Sequence, residues 1–282
     1  MKILVTGATG FIGAHVVKKL VEDQHEVLVA VRSQQKVLSY SWFSEVRFVP
    51  FNLKDKLPEN IYEVFQRPEV LIHLAWEGLP HYRSSFHVEE NYPRHREFLQ
   101  RMIEGGLPSL TVTGTCLEYG MRTGCLSEDM EPAPHVPYAQ AKIALLKDLF
   151  KLQERRPFSL KWVRLFYIYG PGQNENSILS QLDRALERGE KVFNMSGGEQ
   201  LRDYLPVEKV AYNIVKLALQ PKANGVINCC SGEPISIKQF VNDYLVLKGK
   251  RMNLNLGYYP YPDYEAMAFW GDTHKLKEAL NG

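Results

Sequence analysis

The first fourteen residues, Met1 to Ala14 (MKILVTGATGFIGA), constrain the fold more than any other stretch of the chain. Ile3, Leu4 and Val5 form an apolar run of the length of a buried strand, and Thr6-Gly7-Ala8-Thr9-Gly10 is a turn signal. Beyond it Ile12, Val16, Val17, Leu20 and Val21 recur at helical spacing. Strand, glycine turn and helix in that order make the first half of a dinucleotide-binding unit. Gly7 lets the chain turn sharply, Gly10 leaves the backbone open to a pyrophosphate, and Gly13 lets the helix lie close on the strand. The helix N-terminus adds free N–H groups for the phosphates. The spacing is GxxGxxG, a variant of the GxGxxG fingerprint.

The next apolar run, Glu26 to Val31, predicts a second buried strand that ends at Arg32-Ser33. An acid at that place binds an adenosine ribose 2′-hydroxyl, whereas an Arg accommodates a 2′-phosphate. Val31, Arg32, Ser33 and, a little later, Lys36 stand there without an acid, and a guanidinium can hold a phosphate bidentately. The expectation is therefore NADP, with NAD the alternative and a solvated Arg32 the structural one. Further strands are predicted at Val46–Phe51, followed by Asn52-Leu53 beside an adenine, and at Val70–Ala75, where small Ala75 lets a cofactor approach. His73, inside that run, reads as a core histidine bonded to backbone. A helix over Asn91–Glu104, a strand at Leu110–Thr113, an irregular loop over Thr123–Pro137, a helix from Tyr138 and a strand at Leu160–Tyr167 follow. This alternation predicts an α/β fold, a doubly wound and mostly parallel sheet with helices on both faces.

Past Gly172 the rhythm changes. Helices Ser177–Arg188 and Val207–Leu219 flank a Gly197-Gly198 turn. A strand at Val226–Asn228, a helix at Ile237–Leu247, a Tyr/Pro-rich stretch from Tyr258 to Tyr264 and a terminal helix from Thr273 complete the chain. The expected division is a dinucleotide-binding domain of residues 1–170 and 206–231 with a smaller substrate lobe of residues 171–205 and 232–282. A net charge of +2 with scattered basic residues gives no electrostatic case for nucleic acid or a membrane surface. Cys116, Cys125, Cys229 and Cys230 show neither CxxC nor metal-ligand spacing and read as free buried thiols in a reducing compartment. With a strand entered at once and no apolar run of spanning length, a cytoplasmic protein is expected.

Tyr138-Ala139-Gln140-Ala141-Lys142 sets a phenol and an ammonium one helical turn apart on one face. A neighbouring cation favours the phenolate, so this Tyr could exchange a proton with a sugar hydroxyl or carbonyl as hydride moves to or from a nicotinamide. A solvated helix face is the plain alternative. Thr111 to Gly120 runs a strand into a hydroxyl-rich turn at the sheet's C-terminal end, where the Thr115 hydroxyl can bond the reacting oxygen.

With these residues the chain resembles the extended short-chain dehydrogenase/reductase family of nucleotide-sugar epimerases, dehydratases and reductases. The resemblance spans nearly the whole sequence. It is carried by TGATGFIG at 6–13, His73-Leu74-Ala75, Asn91, TGTCLEYG at 113–120, YAQAK at 138–142, RLFYIYGPG at 164–172 and RDYLPVEKVA at 202–211. It implies Thr115, Tyr138 and Lys142 as the catalytic set, with Tyr138 and Lys142 also at the nicotinamide ribose. It adds Thr9, Phe11, Ile12, Leu74, Trp76, Asn91 and Thr113 to the cofactor residues Gly7, Gly10, Gly13, Arg32, Ser33, Asn52, Leu53 and Ala75. Thr115, Cys116, Tyr167 and Arg202 would meet the substrate, Arg202 through its phosphates or nucleotide. A homodimer through a four-helix bundle of the helices near 91–104 and 138–153 is implied as well.

Two departures sharpen the expectation. Tyr167 stands where the family often has Asn, which alters the grip on the sugar diphosphate. Cys116 and Leu117 occupy the places where 4,6-dehydratases carry an Asp-Glu pair, and neither can protonate or deprotonate a carbon, which argues against dehydration. Reduction and epimerisation remain. Arg32 favours NADPH and so a reductase. His73-Leu74-Ala75-Trp76-Glu77-Gly78 with Thr115-Cys116-Leu117-Glu118-Tyr119 resembles the dTDP- and CDP-deoxysugar 4-reductases, which implies reduction of the 4-keto group of a nucleoside-diphosphate-4-keto-6-deoxyhexose in deoxysugar biosynthesis. An NAD-dependent nucleotide-sugar epimerase is the alternative, and a non-catalytic NADP-binding regulator the remote one.

Overall fold

The computed structural model describes residues 1–281. Seven strands build the main sheet: β1 (Lys2–Thr6), β2 (Glu26–Val31), β3 (Arg47–Pro50), β4 (Val70–His73), β5 (Ser109–Thr115), β6 (Ser159–Leu165) and β7 (Gly225–Cys229). Every neighbouring pair is parallel, in the order β7-β6-β5-β4-β1-β2-β3. The expected doubly wound sheet is thus the observed one. Parallel strands covered on both faces need no polar alternation, and Ile3, Leu4 and Val5 of β1 are all wholly buried.

The main helices are α1 (Phe11–Glu22), α2 (Tyr92–Gly105), α3 (Pro137–Arg155), α4 (Ile178–Glu187), α5 (Val207–Leu219), α6 (Ile237–Leu247) and α7 (His274–Asn281). Gly13, Val16, Val17 and Leu20 give α1 one buried stripe, which packs on α5 over the Val5, Val27 and Val29 face of the sheet. On the opposite face α2 and α3 cover Leu4, Leu71 and Leu110 with Phe98, Met102, Leu145 and Leu149. Pro137 starts α3 where its missing N–H costs nothing. The apolar positions of α2 and α3 are turned into this core, while Pro93, Arg96, Glu97, Lys147 and Lys151 are exposed, with Phe150 the apolar exception.

Among the described residues three small sheets lie beside the main one, and two of them use strands from the first 170 residues. Tyr167–Tyr169 pairs parallel with Leu201–Pro206, which pairs antiparallel with Pro234–Ser236. Val192–Asn194 pairs with Asn253–Asn255. Leu179, Leu182, Phe193, Met195, Phe240 and Val241 form a core of their own there, and Tyr204 stacks on Phe240 with ring centroids 3.8 Å apart. The predicted irregular loop over 123–137 contains a strand, Gly124–Leu126, paired with Phe269–Gly271. A three-residue strand whose partner lies far along the chain leaves no periodic trace in the sequence. Of the four cysteines, Cys125 on that strand is exposed rather than buried, and all four are free thiols. Among the described residues no helix is long and apolar enough to cross a membrane.

Candidate active site

The strand order reverses between β1 and β4, and ligands bind in the crevice outside the carboxyl ends of strands at such a point. Here the turn after β1 presses against the end of β4. Gly7 has φ +72°, and a Cβ on it would lie 2.7 Å from the Ala75 nitrogen. A Cβ on Gly13 would lie 2.0 Å from the Gly7 carbonyl oxygen, so both positions admit glycine only. No side chain caps α1 and no acid stands in its first turn, which leaves the N–H groups of Phe11, Ile12 and Gly13 to a ligand. An open, uncapped and anion-favouring turn at the switch point fits the pyrophosphate of a dinucleotide.

The adjoining cleft is lined by Gly7, Thr9 and Gly10, by Asn52 and Leu53, and by Leu74, Ala75, Trp76 and Asn91. Arg32 also lines it, whereas Ser33 is exposed at the start of a one-turn helix, Gln34–Val37. Asn91 reaches back to donate its Nδ2 to the Glu77 carbonyl at 2.9 Å and so ties down the loop after β4. His73 is a core residue, wholly buried between the Thr6 hydroxyl and His95 Nδ1, each at 2.7 Å. Burial pushes its pKa down to about 3, so the imidazole is neutral and structural.

Beside Trp76, which lines that cleft, the structure brings Thr115, Tyr138 and Lys142 together. Tyr138 is packed among Trp76, Tyr82 and His87, with ring centroids 6.0, 5.6 and 5.3 Å away. This burial drives its phenol pKa far up, and the neighbouring Thr115 hydroxyl pulls the other way. Lys142, one turn on, is buried and donates to the Thr113 carbonyl at 2.9 Å. Its Nζ sits 3.9 Å from the centroid of the Trp76 ring, which stacks on His95 at 4.5 Å. Burial lowers the Lys142 pKa to about 7, against the smaller opposing pull of Glu118.

Glu118 fixes the Thr115 turn from beneath. Wholly buried, it accepts from the Thr115 N–H at 2.9 Å, from Trp162 Nε1 at 3.1 Å and from Arg164 Nε at 2.6 Å. The Thr115 hydroxyl in turn accepts from the Leu117 N–H at 3.3 Å. Gly114 makes room for this arrangement, since a Cβ there would lie 2.2 Å from Trp162 Nε1 and 2.5 Å from Glu118 Oε1.

The candidate substrate residues are placed unequally. Cys116 follows Thr115 and is buried, with its thiol pKa pushed up by that burial. Tyr167 accepts from Arg202 Nε at 3.0 Å. Arg202 does not stand open to a phosphate. It is wholly buried, donating to Glu265 Oε2 at 3.0 Å and to the carbonyls of Leu201 and Met267. A diphosphate would have to take over the place of Glu265. Glu118 and Glu77 lie within the stretches that carry the resemblance but have no role there, and Tyr82 and Glu265 carry no motif signal. The capping spacing of Thr115 to Glu118 was the one available signal.

Arg32 departs from its expectation as well. It is not a free cation awaiting a 2′-phosphate, because its guanidinium is bound to Glu77 Oε1, whose Oε2 takes Lys54 Nζ at 2.8 Å. No acid ends β2, yet one arrives across the cleft from the loop after β4.

An oxidoreductase that works through a nicotinamide dinucleotide is the class that this fold and site define. The chain belongs to the NAD dependent epimerase/dehydratase family, which residues 3–230 match. It is 29% identical to the dTDP-6-deoxy-L-talose 4-dehydrogenase (NAD(+)) of Aggregatibacter actinomycetemcomitans, over 96% of this chain and 99% of the relative. It is also similar to MoeE5, solved in complex with UDP-glucuronic acid and NAD, with 27% identity, a TM-score of 0.80 and coverage of 100% and 93% of the two chains. The UDP-N-acetylglucosamine 4-epimerase of Methanobrevibacter ruminantium M1 superposes with a TM-score of 0.87 over 99% and 91% of the chains, and at 21% identity shares the fold. None of these supports the NADP preference expected from Arg32.

Proposed function

We propose that this chain interconverts the 4-keto and 4-hydroxyl forms of a nucleoside-diphosphate 6-deoxyhexose, acting as a 4-keto reductase and using NAD(H). The observation that carries this reading is the meeting of Thr115, Tyr138 and Lys142 beside Trp76 of the cleft wall, with Cys116 and Leu117 next to Thr115. The resemblance to a 4-dehydrogenase of a 6-deoxyhexose nucleotide supports the position and the sugar class, and that relative and MoeE5 both support NAD.

A bound dinucleotide supplies the hydride for the carbonyl carbon or accepts it from the alcohol. Gly7, Gly10 and the first turn of α1 would hold its pyrophosphate, with Thr9, Asn52, Leu53, Leu74 and Ala75 along the cleft. Thr115 donates to the carbonyl oxygen and orients it. Tyr138, kept protonated by its buried surroundings, gives that oxygen its proton. Lys142, charged, lowers the cost of the phenolate that remains. Cys116 and Leu117 offer no acid or base to the neighbouring carbons, which favours carbonyl chemistry over dehydration.

An assay of NADH absorbance with dTDP-4-keto-6-deoxyhexoses tests the proposal. Consumption of one NADH per keto-sugar is the expected result. No consumption with dTDP-, CDP-, GDP- or UDP-linked keto-sugars would remove the reductase reading. Inversion of a nucleotide sugar without net change in NADH would replace it with the epimerase one, the activity of the Methanobrevibacter neighbour.

A further inference from the structure

We infer that Glu77 is the residue that sets this chain's choice between dinucleotides with and without a 2′-phosphate, in the place of the acid that β2 lacks. The inference rests on the cleft being the dinucleotide site proposed above. Four cations line that cleft: Arg32, Lys36, Lys54 and Arg94. Glu77 binds two of them, Arg32 through Oε1 and Lys54 through Oε2, and Glu90 takes Arg94 at 2.6 Å. Among the described residues only Lys36 of the four has no carboxylate partner.

The Glu77 side chain is well placed for the role. Asn91 fixes its carbonyl, and the next residue, Gly78, turns the chain with φ +82°. The carboxylate is delivered to the end of β2 from the opposite wall, between the residue that follows β2 and Lys54, which follows the adenine-side pair Asn52-Leu53. Its two oxygens already accept from the guanidinium and the ammonium that a 2′-phosphate would need. A phosphate dianion arriving there must displace Glu77 from Arg32 and still lie close to its negative charge, a repulsion that partial burial strengthens. A ribose 2′-hydroxyl carries no charge and can donate to the same carboxylate, leaving both cations in place. The charge of Arg32 read from the sequence is therefore cancelled by a residue 45 positions later.

Titration calorimetry of the full chain with ADP-ribose and with its 2′-phosphate tests this without any turnover. The wild-type chain is expected to bind ADP-ribose more tightly by about tenfold or more. Glu77→Gln, which frees Arg32 and Lys54, should shift the ratio of the two dissociation constants toward the 2′-phosphate by at least about tenfold. Adding Arg32→Ala to Glu77→Gln should cancel most of that gain. An unchanged ratio in Glu77→Gln, with both ligands bound, overturns the inference and leaves the proposed function standing. Tighter binding of the 2′-phosphate by the wild-type chain overturns it even if the variant cannot be produced. Failure of the wild-type chain to bind either ligand would sink the inference and the proposed function together.

Discussion

Replacing Tyr138 by Phe should lower kcat for keto-sugar reduction by about 10²- to 10⁴-fold, the usual worth of a positioned general acid. The substitution removes one oxygen and leaves the ring among Trp76, Tyr82 and His87, so the fold should hold. A steady-state assay beside a binding titration separates turnover from binding, and full activity in Tyr138→Phe would remove this residue from the mechanism. The pH profile adds a second check. Tyr138 is pushed up, so it stays protonated across the ordinary range and contributes no limb. Lys142 is pushed down to about 7, so its charge is present below that pH and lost as pH rises through it. The reductive kcat/KM should therefore be flat below about 7 and fall about tenfold per pH unit above. Lys142→Arg keeps a cation that does not titrate in this range, and whatever activity it retains should lose that limb.

The second large effect is structural. Glu118→Ala should cost about 3–5 kcal/mol, because Arg164 is left as a buried charge without its partner. Arg164 Nη1 already lacks a partner, and the Thr115 N–H and Trp162 Nε1 would join it. For a chain of this size such a loss amounts to roughly 10 °C in Tm, readable by thermal denaturation. Adding Arg164→Met should recover part of it, since the uncompensated charge is then gone, and the double-mutant cycle reports the coupling. A melting temperature within 2 °C of the wild type for Glu118→Ala, a margin of roughly 1 kcal/mol at this chain length, would show that the pair contributes little.

Much of this was legible in the residues, for identifiable reasons. Buried parallel strands leave continuous apolar runs, so β1, β2 and β4 could be read directly, and GxxGxxG marked the turn because only glycine tolerates the approaches at Gly7 and Gly13. Tyr138 and Lys142 share a helix face, and their spacing alone predicts their meeting. The short strands at 124–126, 192–194 and 269–271 left no signal, being three residues long with distant partners. Arg32 was read from its neighbours in the chain, but its partner lies across the cleft. The resemblance likewise gives Arg202 to the substrate's phosphates or nucleotide, although Glu265 and Tyr167 hold it in the fold. A side chain's charge can be read from the sequence, whereas its partners are set by tertiary structure.

Asp203, wholly buried beside Arg202, has a consequence of a mechanical kind. Its carboxylate accepts from the Ser231 N–H and hydroxyl at 2.6 Å, from the Gly232 N–H at 2.8 Å and from the Gly271 N–H at 3.2 Å. One side chain thereby rivets the strand that carries Arg202 to the loop leaving β7 and to the segment that closes the chain. Such a chassis makes the mutual alignment of three segments far apart in the chain depend on one carboxylate.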